Sequence, residues 1–179
     1  MRPMELDVLL YNSYRKTIDE AVDFVLKNPE YYKQAIELSF ADKKQVSARA
    51  ARVVYYAALA NSELILPYNN AIIKNLQSIR NKSAKSTLLA AYAKLDLPDD
   101  DELLGILVER CFDIMSYPND IASLKIYAIE ILYKISQIYP ELKHELSLTI
   151  KNHFENCLPS FYSRGRTILD KIGENYDED

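Results

Sequence analysis

Four stretches decide the reading of this chain: Ser47-Ala-Arg-Ala-Ala-Arg-Val-Val, Ser83-Ala-Lys-Ser-Thr-Leu-Leu-Ala, Ser123-Leu-Lys-Ile-Tyr-Ala-Ile-Glu and Ser163-Arg-Gly-Arg-Thr-Ile-Leu-Asp. Their leading serines stand 36, 40 and 40 residues apart. Each opens a run in which apolar residues recur at helical spacing. A period near 40 in a helical sequence is the mark of stacked helix pairs, each covering its neighbour's apolar face. The expected fold class is all-α.

Outward from these segments the same periodicity continues. Ile18, Ala21, Val22 and Val25 form one stripe, Leu103, Leu104, Leu107 and Phe112 another, and Leu124, Ala128, Ile131, Leu132 and Ile135 a third. The pattern predicts nine helices, at about 17–27, 30–40, 45–60, 64–78, 82–94, 100–115, 120–138, 141–155 and 160–172. The helix at 45–60 is apolar almost all round, as suits a position covered on several sides. Asp42-Lys-Lys-Gln45 and Asp99-Asp-Asp-Glu102 have the spacing of a capping box. Asn28-Pro29-Glu30 offers an N-cap followed by proline at the first helical position. Residues 1–28 are read as N-terminal capping helices and 174–179 as a frayed acidic tail, within a single domain spanning 1–179.

Composition narrows the class. Three glycines in 179 residues leave too few turn and phosphate-loop positions for a typical β-sandwich or α/β fold. Fourteen tyrosines and no tryptophan suit half-exposed faces, where a ring is buried and a hydroxyl stays wet. A net charge of −4 gives the whole molecule no pull towards nucleic acid or anionic membrane. Cys111 and Cys157 are read as reduced structural thiols. Residues 1–12 lack the apolar core of a signal peptide, and no run has the length of a membrane span. The expectation is a soluble cytoplasmic protein.

The chain resembles HEAT-like repeat proteins of the armadillo superhelix class. The resemblance is carried by the four serine-led segments and by acids preceding bases, Asp42 before Arg49 and Asp120 before Lys125, and covers most of residues 30–172. Cys111-Phe-Asp113, Ser123 to Tyr133, Tyr139-Pro-Glu-Leu-Lys143 and Phe161-Tyr-Ser-Arg-Gly-Arg166 look like a group of small bacterial proteins of this fold without a defined activity. The resemblance implies an α-α superhelix, a HEAT-like solenoid of about four to five helical hairpins. It also implies a non-catalytic scaffold for a protein or peptide, and brings no catalytic residues with it.

Candidate chemistry is sparse. One basic residue falls near the start of each serine-led helix: Arg49, Lys85, Lys125 and Arg166. Such residues either tie one repeat to the next or form a row of cations for a phosphate chain or acidic peptide. Arg49, Arg52, Tyr56, Lys85, Tyr92, Lys125, Arg164 and Arg166 form the candidate binding surface. Residues 43–94 hold nine basic groups and one acid, Glu63; residues 96–120 hold eight acids and one base, Arg110. Some DNA glycosylases for alkylated purines are built from HEAT-like repeats, and their basic, aromatic face suggests an alternative: nucleic-acid or phosphate binding through 43–94. His144 and His153 are nine residues apart, which is not the i, i+4 spacing of a metal pair. No metal, cofactor or catalytic residue is expected.

Overall fold

The computed structural model describes residues 6–118 and 120–174. It is all-helical among the described residues. The chain divides into two compact units, Met1–Leu103 and Leu104–Asp179.

The first unit begins with a short helix that the periodicity does not reveal, α1 (Leu6–Leu9), followed by α2 (Arg15–Lys27), α3 (Tyr31–Phe40) and α4 (Lys44–Ala60). Two 3₁₀ turns, Ser62–Leu64 and Leu66–Tyr68, lead into α5 (Asn69–Asn75), and α6 (Lys82–Lys94) follows. The single helix expected over 64–78 is thus broken. Pro67 supplies no N–H and its ring crowds the preceding turn, so regular α-helix starts only after Tyr68.

α4 is the centre of this unit. It packs against α2, α3 and α6, as its all-round apolar sequence predicts. Ala50, Ala51, Val53, Val54, Ala57 and Ala58 are all fully buried. On the facing helix α6, Ala84, Leu88, Leu89 and Ala91 are buried too. The small side chains let two helices approach closely without voids. Two of the tyrosines, Tyr32 and Tyr92, lie in the core. Tyr32 donates to the Val54 carbonyl at 3.1 Å, and Tyr92 to Asn69 Oδ1 at 3.1 Å. Each buries a whole ring because its hydroxyl finds an internal acceptor.

α7 (Asp101–Ser116) starts at the end of the first unit and lies mostly in the second, with α8 (Ala122–Ser136), α9 (Leu142–Asn152), a 3₁₀ turn at Phe154–Asn156, and α10 (Pro159–Ile172). α8 packs on α9 and α10, and α9 on α10. Gly165 lies where α10 meets the end of α9. A Cβ there would stand 2.7 Å from Phe154 Cε1 and 2.8 Å from Ile150 Cγ2. Only glycine fits this approach.

Among the described residues, α1 packs on α2, α3 on α4 and α9 on α10 as chain neighbours. The four serines fall within the first five residues of α4, α6, α8 and α10. Six residues past each serine stand Val53, Leu89, Ile129 and Leu169, and all four are at most 1% exposed. The repeat frame read from the sequence is therefore also a burial frame.

The capping signals resolve differently from their expectation. Asp42 does not cap α4: it sits at φ 52°, and Oδ1 accepts from the backbone N–H groups of Arg80 and Asn81, both at 2.9 Å. The start of α4 is instead held by Ser47, whose hydroxyl accepts from Lys43 N and donates to the Leu38 carbonyl. In the acidic run Asp100, not Asp99, reaches the helix, accepting from Leu103 N at 2.9 Å. Asn28 closes α2 by donating to the Phe24 carbonyl, rather than opening α3. Of the acidic tail, residues 175–179 lie outside the described residues. Glu174 itself is bound, its Oε2 2.8 Å from Lys151 Nζ and accepting from Ser147 Oγ.

Candidate functional site

The basic residues of the serine-led helices have distinct fates. Arg49 is half-buried and extends towards the turn between α1 and α2. Its Nη1 donates to the Leu10 carbonyl at 2.8 Å, Nε to Ser13 Oγ at 2.9 Å and Nη2 to Gln45 Oε1 at 2.6 Å. Arg52, one turn on, donates to the Ser13 carbonyl at 3.0 Å. A planar guanidinium with several fixed donors suits such a tie between one helix pair and the next. Beside them the Arg15 guanidinium lies 4.4 Å from the centre of the Tyr56 ring, and is itself paired with Asp19 at 2.8 Å. That pairing holds its pKa above the ordinary arginine value. Lys85 is half-buried in the first turn of α6 and also has a partner.

Tyr92, grouped with these residues on the sequence, is 2% exposed and its ring offers no surface to a ligand. Burial drives its hydroxyl pKa far above the ordinary tyrosine value.

In the second unit Arg164 Nε lies 2.7 Å from Glu130 Oε1 across α10 and α8, a charge contact without the alignment of a linear hydrogen bond. Glu130 is buried, so this pair neutralises a carboxylate that would otherwise be costly in the core. Arg166 is exposed, 6.0 Å from the Tyr162 ring centre. Lys125 lines a cavity of about 220 Å³ with Pro118, Asp120, Ala122, Leu158 and Phe161. His153 reaches the same cavity, but both its ring nitrogens are occupied by backbone: Nδ1 is 2.8 Å from the Thr149 carbonyl and Nε2 2.7 Å from that of Met115.

Leu158 lines that cavity, and Tyr117 and Ile121 are chain neighbours of its lining residues Pro118 and Ala122. Tyr117 is 65% exposed, Ile121 39% and Leu158 61%. Ile121 and Leu158 occupy the N-cap positions of α8 and α10, where Ser, Thr, Asp or Asn would be favoured, and neither makes a side-chain cap. Two apolar N-caps were the available signal. Among the described residues no group of three or more His, Cys, Asp or Glu could hold a metal ion. Cys111 is fully buried, and burial pushes its thiol pKa up, away from the reactive thiolate. No helix among the described residues is long and apolar enough to cross a membrane.

The family described as HEAT repeat domain matches residues 7–172 of the chain. No curated protein and no solved structure matches it significantly.

Proposed function

Because the chain belongs to the HEAT repeat domain family, we propose that it is a non-catalytic scaffold that binds a protein or peptide. The observation that carries this reading is the apolar rim in the second unit. Tyr117, Ile121 and Leu158 stand exposed around or beside a cavity whose walls include Pro118, Ala122 and Phe161. Water-exposed apolar side chains at the end of one helix and the starts of two others favour a protein surface as their cover. Ile121 and Leu158 stand where capping residues would be favoured, so helix capping does not account for them.

The nucleic-acid alternative loses support at the positions that suggested it. Arg49 and Arg52 are committed to Leu10, Ser13 and Gln45, and the Tyr92 ring is inside the core.

The test uses Ile121→Asp with Leu158→Asp. Aspartate is a good N-cap, so both changes leave the fold at least as stable while removing the apolar surface. Wild-type protein immobilised as bait should recover a stoichiometric protein from nuclease-treated lysate, and the double variant should not. Equal recovery by both, or retention that depends on nucleic acid, contradicts the reading.

A further inference from the structure

The first unit carries a second exposed surface, built by hydrogen bonds between successive hairpin turns. Asp42 Oδ1 accepts from the backbone N–H groups of Arg80 and Asn81, and the Asn81 side-chain amide donates to the Lys44 carbonyl. These bonds hold the α3–α4 turn against the α5–α6 turn. As a result Lys43, Lys44 and Arg80 are brought to one end of the helices. All three are exposed, and none makes an ion pair among the described residues. The one acid of these turns, Asp42, has an oxygen turned onto two backbone N–H groups. Lys44 also adopts φ 28° and Asp42 φ 52°, the only non-glycine residues with positive φ among those described.

We propose that this turn edge is a docking surface for an acidic protein segment, one presenting two or three neighbouring carboxylates. Grouped cations that outnumber the one neighbouring carboxylate raise the local potential and attract an anionic partner. The choice of protein over nucleic acid rests on three observations. The patch is small, whereas duplex binding draws on many phosphate contacts. Neither turn, 41–44 or 78–82, carries an aromatic side chain on which a base could stack. The whole chain, at −4, repels a long polyanion. The proposal rests on the protein-binding reading but invokes different residues.

Fluorescence anisotropy at low salt tests it, with a labelled peptide of alternating glutamate and serine as the probe. Labelled single-stranded and duplex DNA serve as competing probes. Lys43→Glu with Arg80→Glu should weaken peptide binding by about tenfold, and addition of salt should do the same. Lys16→Glu with Lys33→Glu makes the same change in net charge on exposed helix faces and should leave binding near wild type. Lys43→Gln with Arg80→Gln should give an intermediate loss, with far-UV circular dichroism unchanged. Four results overturn the proposal: no peptide binding by the wild type, equal loss in both charge-reversal variants, no loss in the glutamine variant, or tighter binding of DNA than of peptide at the same site. None of these bears on the Ile121 and Leu158 capture experiment, which judges the scaffold reading separately.

Discussion

Replacing Gly165 with alanine sets two well-understood effects against each other. In an open helix interior, alanine is about 0.8–1 kcal/mol better than glycine. At Gly165 the new Cβ would stand 2.7 Å from Phe154 Cε1, 2.8 Å from Ile150 Cγ2 and 3.1 Å from Phe154 Cζ, all closer than ordinary van der Waals contact. Neither neighbour can swing into solvent. Ile150 is fully buried, and Phe154 is 8% exposed with its ring against Tyr162 at 4.7 Å. The strain of overpacking a filled site is about 1–3 kcal/mol, and two contacts under 3 Å place it at the upper end. The net expectation for Gly165→Ala is a loss of about 1–2 kcal/mol. Gly105, in the second turn of α7, has nothing within 4 Å of its own Cβ position, so Gly105→Ala should gain about 0.5–1 kcal/mol. Urea denaturation followed by far-UV circular dichroism reads both. Trimming the obstructing ring in Gly165→Ala/Phe154→Leu should cost less than the two single changes added together. A Gly165→Ala protein as stable as wild type would refute the close approach of α10 to the end of α9.

Other substitutions probe the ties between hairpins. Asp42→Ala should lose about 2 kcal/mol by thermal or urea unfolding, from two hydrogen bonds and a poor residue at positive φ; Asp42→Gly should lose less, and Asp42→Asn least, since asparagine keeps both the acceptor and the tolerance of φ. Tyr92→Phe should cost about 1–2 kcal/mol, because it leaves the buried Asn69 carbonyl oxygen without its donor. Hydrogen bonding to Lys151, and then to Ser147, holds the Glu174 pKa below its ordinary value. A carboxylate depressed in the folded state stabilises above its unfolded pKa, and the benefit disappears as pH falls through the folded pKa. The stability difference between wild type and Glu174→Gln should therefore be present at neutral pH and vanish in acid. A difference that persists unchanged into acid contradicts the contact.

The repeat architecture was legible because it is written in apolar spacing. Val53, Leu89, Ile129 and Leu169 occupy one position of a 36–40-residue frame, and all are buried. Short-range competition was harder to read. Asp42 has the right spacing to cap its own helix, yet its carboxylate serves the backbone of residues 80 and 81, a choice made by the stacking of turns 38 residues apart. α1 is four residues long, too short to show a period. The candidate binding surface was least legible, since residue type does not state what a side chain touches. Arg49 reads as a tie between repeats or as a ligand for phosphate, and its three acceptors distinguish them. Tyr92 reads as a wet aromatic until Asn69 is placed opposite its hydroxyl. Ile121 and Leu158 belong to no apolar stripe of the sequence, and only the structure shows their exposure at helix starts.

The claim beneath this account is that Arg49, in the second turn of α4, fastens one helix pair to the next. Urea unfolding of Arg49→Ala and Arg49→Lys tests it most directly. The account predicts a loss of about 1–2 kcal/mol for alanine and most of that loss for lysine, whose single ammonium cannot serve Leu10, Ser13 and Gln45 together. Unchanged stability in both variants would contradict it and return Arg49 to the pool of residues available for a ligand.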